Sequence, residues 1–583
     1  MATQFKPYPM RTAKEKRDGY LARYTQLRAD RSSWITHWSD LGRHILPRSA
    51  RFFTSDRNRG GRDRYGSILD NTARRAVRVL SAGLMAGMTS PARPWFRLTT
   101  QDPDLGGSHD VRMWLDEVVE RMQAVFAKSN LYRVLPQMYE ELGVFGTSCI
   151  LVLSDIEETI HCYPITVGEF CLQQDYQGRI VTMYREFERT VSETIKEFGY
   201  ENCSTSVRHA YDNRQLESSL KILHVIEPRE DQDRNLNSQM AQDMPWRSVY
   251  LEISGEDDNI LRESGFERMR LLAPRWQVNG GDVYGISPGM DALGDIRQLQ
   301  QEQLRKSQGI DYKSKPPLQV PQSIKDRDHD MLPGGMSYYE PGEIIPFDQV
   351  TPQGGVRTAF EVTLELDHLL LDIQDVRIRI KQAFYEDMFL MLATRGPDGR
   401  MTATEVVERH EEKLLMIGPV LEQMHNELLD PLIDITFAEM IKAELVPPPP
   451  QELLGAELEV EFVSILAQAQ RAVGISSVQE FMSEVMTVAQ MRPEVLDKVD
   501  LDQWVEITAQ MRGIDTELLV PEEAVRALRE ARAAAEAARE QVELAQGQAG
   551  AIKDLAAAAP TNQGAALDEV LGGLTSLPGA GVA

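Results

Sequence analysis

Gly285-Ile-Ser287-Pro-Gly289 is the one stretch of this chain with the spacing of a reaction centre. G-x-S-x-G is the pattern of a nucleophile elbow, in which a strained turn between strand and helix exposes a serine. The elbow also needs the backbone N–H after the serine as an oxyanion donor, and Pro288 has none. The same residues make a strong helix start, with Ser287 as N-cap and Pro288 at the first helical position. The spacing therefore predicts a capped helix rather than a catalytic turn. Asp326, Asp328 and Asp330 alternate as in the opening of a calcium loop, but Met331 and Ser337 stand where that loop needs glycine and glutamate, so a solvated acidic turn fits better. His410 among Glu408, Glu411 and Glu412 reads as a charged helix face. Cys149, Cys162, Cys171 and Cys203 show no C-x-x-C pairing and no histidine at ligand spacing, which makes them reduced core thiols. There is no G-x-x-x-x-G-K-[ST] and no H-E-x-x-H. No catalytic residue, cofactor or metal is expected, and the chain reads as a non-enzyme.

What must be positioned is then a set of surfaces. The chain has 583 residues, 42% hydrophobic and 26% charged, enough for several domains with buried cores. No run approaches the roughly 18 apolar residues of a membrane helix, and the opening MATQFKPYPMRTAKEKRDGY lacks the apolar core of a signal peptide, so a protein made in a cytoplasm is expected, without a membrane. The net charge of −26 is unevenly spread: residues 1–80 hold 18 Lys/Arg against 7 Asp/Glu, and residues 451–583 hold 9 against 22. Such an asymmetry lets unlike regions of neighbouring copies attract. Arg57, Arg59, Arg62 and Arg64, set among Phe52, Phe53 and Tyr65, are candidates for a subunit or nucleic-acid contact.

The elements follow from periodicity. Val111, Trp114, Leu115, Val118, Val119, Met122, Val125 and Phe126 mark an amphipathic helix with a candidate cap at Ser108. Ser148–Leu153, Arg179–Glu186, Lys221–Ile226 and Ser248–Ile253 read as strands of a modest sheet. A helix of about 20 residues is predicted after Ser287. A second is predicted from Arg357 to about Met391, with a proline-rich insertion between them that allows only small, edge-rich sheets. Gly396-Pro397-Asp398-Gly399 is a tight turn, and the helical pattern behind it runs to about Glu444. Pro419 and Pro431 should kink that helix rather than end it, and if continuous it spans roughly 60 Å. The run Val446–Pro450 reads as a stiff linker, and Pro521 opens an alanine-rich final helix. Ala82-Gly83 and Ala86-Gly87, four residues apart, strip one helix face of side chains for close packing, with Trp95 anchoring the exit.

Taken together, NTARRAVRVLSAGLMAGMTSPARPWFRL (Asn71 to Leu98), LGVFGTSCILV (Leu142 to Val152), YGISPGMDAL (Tyr284 to Leu293), IKQAFYEDMF (Ile380 to Phe389) and MTATEVVERHEEKLLMIGPVLEQMHNELLDPLI (Met401 to Ile433) resemble the head-to-tail connecting, or portal, proteins of short-tailed bacteriophages. The blocks appear in the family's order and frame the chain from about residue 10 to 450. The resemblance implies a mainly α subunit with an α+β wing, assembled as a ring, typically of twelve copies, at one capsid vertex of the virion. Double-stranded DNA would pass through it without sequence preference during packaging and ejection. It names the pieces: wing at 1–286, stem helices at 287–309 and 357–389, clip at 310–356, tunnel loop at 390–402, long wing helix at 403–446, crown at 447–520, and a C-terminal helix and tail, a candidate barrel, at 521–583. Thr394, Arg395, Gly396, Pro397, Asp398, Gly399 and Arg400 would line the DNA channel. The implied partners are terminase, adaptor and tail proteins, and the major capsid and scaffold proteins. A helical scaffold without a bore, and a hydrolase using Ser287, are the competing readings.

Overall fold

The computed structural model describes residues 13–47, 68–100, 109–230, 240–255, 260–314, 318–321, 344–347, 357–358, 367–393, 417–453, 458–463, 525–539 and 541–542, with single positions at 235, 238, 482, 485–487, 492 and 504. The chain divides into two compact units, Met1–Val495 and Leu496–Ala583.

In the first unit, α1 (Ala13–Asp30) and α2 (Ser32–His44) precede α3 (Thr72–Met88), β1 (Phe96–Thr100), α4 (His109–Lys128) and α5 (Leu131–Phe145). The apolar positions of α4 named above lie on its buried side, except Trp114, which is half-buried and donates its indole N–H to the Pro447 carbonyl at 3.0 Å. A β-rich region follows: β2 (Cys149–Asp155), β3 (Thr159–Ile165), β4 (Phe170–Gln174), β5 (Ile180–Thr190), α6 (Val191–Phe198), α7 (Thr205–Asp212), β6 (Ser219–Pro228), β7 (Trp246–Glu252), β8 (Ile260–Phe266) and β9 (Leu271–Leu272). Strands β4 to β8 form an antiparallel meander in sequence order, and β2 sits between β3 and β9 in a separate sheet. Helix α1 covers one face of the meander through Tyr20 and Tyr24, which pack with Cys171, Tyr184, Leu223 and Val249. The α6–α7 pair, capped by Thr190 and Ser204, covers Phe187 and Ile222. All four cysteines are free and buried.

The G-x-S-x-G stretch forms a seam between two of the blocks singled out in the sequence. Helix α5 ends at Gly146, whose φ of 76° puts it in the left-handed region. A Cβ built on Gly285 would lie 2.3 Å from the Gly146 carbonyl oxygen, and one on Gly289 would lie 2.8 Å from that of Val144. Gly285 donates its N–H to Thr147 Oγ1 at 2.9 Å. Ser287 caps α8 (Pro288–Asp291) by accepting from the Met290 N–H at 3.2 Å, and its hydroxyl donates to the Val144 carbonyl at 2.7 Å. The motif is backbone-to-backbone docking, and its serine is spent on structure.

The long helices depart from the sequence expectation in three places. The first is one turn, α8, followed after Ala292 by α9 (Leu293–Ser314), which runs past residue 309. The second does not begin at Arg357. Arg357 and Thr358 form β12, which pairs antiparallel with β10 (Leu318–Pro321), and β10 also pairs in parallel with β11 (Ile344–Phe347). Helix α10 (Asp367–Ala383) then stops at Tyr385, whose φ of 56° re-aims the chain into α11 (Glu386–Ala393) and brings Phe389 against Gly83 of α3. The third contains 417–424 in α-helix, a π-helical turn at His425–Leu429 closed by an Asp430 N–H to His425 carbonyl bond, and α12 (Asp430–Lys442). Pro431 has no N–H to give the Glu427 carbonyl, and the wide turn accommodates that without ending the helix. The proline run does not stand free: besides Trp114, Arg121 bonds the Leu445 carbonyl at 2.7 Å. Beyond it β13 (Leu458–Phe462) pairs with β1, a strand the sequence reading did not foresee. In the second unit, residues 525–539 are helical, and from 526 onward every one of them is exposed. The candidate cap Ser108 and the acidic turn at 326–330 lie outside the described residues.

Gly285→Ala should destabilise the chain by about 2–3 kcal/mol through backbone overpacking, whereas Ser287→Ala should cost about 1 kcal/mol as a lost cap. Urea melts read both, and equal stability of the two variants and the parent would mean that the seam contributes nothing.

Candidate functional site

The paired helices α9 and α10 are fastened to the rest of the unit at one residue. Asp70, just before α3, is buried, and its carboxylate accepts from Arg377 Nη2 at 2.6 Å, from Arg377 Nε at 3.1 Å, from Gln303 Nε2 at 3.2 Å and from the Thr72 N–H at 2.8 Å. Gln300 of α9 completes the clamp: its carbonyl oxygen accepts from the Leu69 and Asp70 N–H groups at 2.7 and 2.9 Å, and its amide donates to the Asp70 carbonyl at 2.9 Å. One aspartate therefore holds α3, α9 and α10 together. Burial works against its ionised form, but the bonds from Thr72 and Arg377 and the positive charge of Arg377 outweigh it and hold the carboxyl below its ordinary range.

A second fastening ties the long helix to the β-rich region. Glu427, within the π-helical turn, accepts from Arg275 Nε at 3.0 Å, from its backbone N–H at 2.8 Å and from its Nη2. The same guanidinium donates to Gly178 and Gln174 at the β4–β5 hairpin and to the Asp282 carbonyl. One helix further on, Glu439 pairs with Arg270 of the β8–β9 connection. Both ion pairs are largely buried and both are hydrogen-bonded on several sides, the condition under which a buried pair is tolerated.

The small-residue face of α3 divides. Gly83 lies against Phe389, where a Cβ would fall 2.1 Å from the ring, and Gly87 is buried, while Ala82 and Ala86 are exposed. Trp95 is 1% exposed, stacks on Phe126 at 5.7 Å between ring centres, and donates to the Tyr132 hydroxyl at 3.3 Å. Thr394, Arg395, Gly396, Pro397, Asp398, Gly399 and Arg400 lie outside the described residues, as do Arg57, Arg59, Arg62 and Arg64. Among the described residues no group of three or more potential metal ligands comes together, and no helix is long and apolar enough to cross a membrane. The Asp70 and Arg275 fastenings escaped the sequence reading because their partners lie 307 and 152 residues away. Only the local turn in which Asp70 accepts from the Thr72 N–H two residues on leaves a trace in the sequence.

A sequence model described as bacteriophage head to tail connecting protein matches residues 17–519. The chain belongs to that family. This connector chain is 53% identical over 524 residues to a probable portal protein of Bordetella phage BPP-1, covering 90% of its own length and 92% of that relative. It is 41% identical over 544 residues to the portal protein of Salmonella phage epsilon15, covering 93% and 96%. Among solved structures, a chain from the virion of a native gene transfer agent particle aligns at 9% identity, covering 71% of the connector and 86% of that chain, with a TM-score of 0.30. All the fastenings described above fall inside the matched residues.

Asp70→Asn should weaken the connector by about 2 kcal/mol at neutral pH, the scale of hydrogen bonds to a charged group. Because the folded carboxyl is the stronger acid, its contribution is full above about pH 4 and is lost as pH falls through the folded value. Melts of parent and variant should therefore converge in acid; a difference that stays constant down to pH 2 would show that the charge of Asp70 does not matter.

Proposed function

We propose that the chain is the subunit of a portal ring, typically of twelve copies, at one capsid vertex of the virion. Double-stranded DNA is packaged through the ring, retained by it and ejected from it. The observation that carries this reading is the near full-length match to two phage portal proteins, with the matched share above 90% of each relative. The G-x-S-x-G stretch has a structural role that leaves no nucleophile there: Ser287 is 1% exposed and committed to a cap and a carbonyl.

In this reading residues 1–286 are the wing, 287–309 and the helical residues from Asp367 to 389 the stem, 310–356 together with the paired strand Arg357–Thr358 the clip, 403–446 the long wing helix, 447–520 the crown, and 521–583 the C-terminal extension. The clip offers strand edges for adaptor proteins and a platform for the packaging terminase. The wing meets the capsid and scaffold proteins. A conduit should not hold its cargo, because each neutralised phosphate adds affinity that slows sliding. The surplus of 26 negative charges supplies repulsion instead, and at cytoplasmic ionic strength it reaches only about 8 Å, so it acts at close approach. The tunnel loop at 390–402 is the exception, with Arg395 and Arg400 placed to touch phosphates transiently. Arg57, Arg59, Arg62 and Arg64 serve contacts with acidic neighbours or with DNA.

Negative-stain microscopy of the purified chain should show rings with a central hole wide enough for duplex DNA. Filaments or closed globules without a bore would favour the plain scaffold. Arg395→Ala with Arg400→Ala should leave rings intact but impair DNA packaging or retention in particles; unchanged packaging, retention and ejection would remove those arginines from the channel.

A further inference from the structure

Residues 446–450 read Val-Pro-Pro-Pro-Pro, and sterics alone set their conformation. Each proline ring fixes its own φ at about −65° and steers the residue before it into the extended region. Pro447, Pro448 and Pro449 are constrained on both counts, which winds the run as polyproline II, three residues per turn, with no N–H to offer. Burial follows that period. Pro447 and Pro450, three apart, are half-buried, and Pro448 and Pro449 between them are exposed.

One side of the run is already read by the chain itself. Trp114 of α4 donates its indole N–H to the Pro447 carbonyl at 3.0 Å, Arg121 of the same helix donates to the Leu445 carbonyl at 2.7 Å, and the Leu453 N–H donates to the Pro450 carbonyl at 3.0 Å. Among the described residues no donor reaches the Pro448 or Pro449 carbonyl. The outer side therefore presents two bare rings and two open acceptors. A partner strand cannot pair with it, because prolines have no N–H to give a ladder. What fits is a side chain with a flat apolar body to cover a ring and a donor at its edge, a Trp or a Tyr, making the kind of bond that Trp114 makes on the inner side. Because the run is held in one conformation before contact, little ordering is lost on docking.

The flanks add a charge requirement. Glu444 and Glu452 are both exposed, and the neighbouring Lys442 is engaged with Glu267 and Glu439 instead. A matching surface carries Lys or Arg at its rim. The chain's own exposed ring pair does not match: Tyr200 and Tyr211 meet edge to face at 6.1 Å, with the Tyr200 hydroxyl already given to the Asp212 carboxylate at 2.9 Å.

We propose that Pro448 and Pro449 dock in an aromatic-lined groove with a basic rim on a different protein of the particle. The portal-ring reading enters only in where that partner is sought. The test uses the full chain in assembled particles, with the photoreactive amino acid benzoylphenylalanine in place of Gln451, which is exposed at the end of the run. Irradiation should join it to a second particle protein, and mass spectrometry should place the cross-link in a peptide holding Trp or Tyr. Pro448→Ala with Pro449→Ala should cut that cross-link by roughly tenfold or more, the loss expected when interface anchors are truncated. Melts, and the rings seen by microscopy, should stay as in the parent. Glu444→Lys with Glu452→Lys should weaken the cross-link too. A cross-link to another copy of this chain, no cross-link at all, or one that survives the alanine pair would overturn the contact while the rings stand.

Discussion

Much of the first unit hangs on a place where there is no room for side chains. At Gly146 and Gly285 two backbones approach so closely that a methyl group on either would collide with the other's carbonyl. The Trp276 N–H to Gly146 carbonyl bond at 2.9 Å and the Gly285 N–H to Thr147 bond close the seam. It fixes where α5 ends, where β2 begins and where the chain turns into α8 and α9. Glycine is needed on both sides for different reasons, positive φ at Gly146 and bare approach at Gly285.

From the seam outward, order is carried by a few charged groups that gather several segments at once. Asp70 binds three helices, and its carboxylate is made affordable in a buried setting by Arg377, Thr72 and Gln303. Glu439 is also held ionised: burial opposes its charge, and Ser154, Arg270 and Lys442 overcome that opposition. These are distant contacts in sequence, so they form only once the chain has closed large loops. Their worth lies in register, since an apolar contact tolerates sliding and a multidentate carboxylate does not.

The sequence disclosed what is local. The amphipathic period of α4, the cap at Ser287 and the four strand segments correspond to observed elements within a few residues, because propensity, cap and burial agree there. What stayed hidden was decided by packing. The break at Tyr385 has no glycine to announce it; it exists because Met388 and Phe389 are buried and Phe389 must reach Gly83. Residues 458–462 alternate as a strand should, yet only pairing with Phe96–Thr100, more than 350 residues away, makes them one. The G-x-S-x-G pattern was read rightly as a cap but not as a docking seam, since nothing in the spacing says which backbone comes close.

Arg275 gathers the long helix, the β4–β5 hairpin and the stretch before α8 at one side chain. Its guanidinium bonds Glu427, Gly178, Gln174 and Asp282 from a single rigid plane. Bonds arranged along a strand edge can be peeled one after another, each failing at low force. A pull on the long helix reaches the hairpin through this side chain only by way of the Glu427–Arg275 bonds, so those bonds share the load among themselves and the link gives way when they break together.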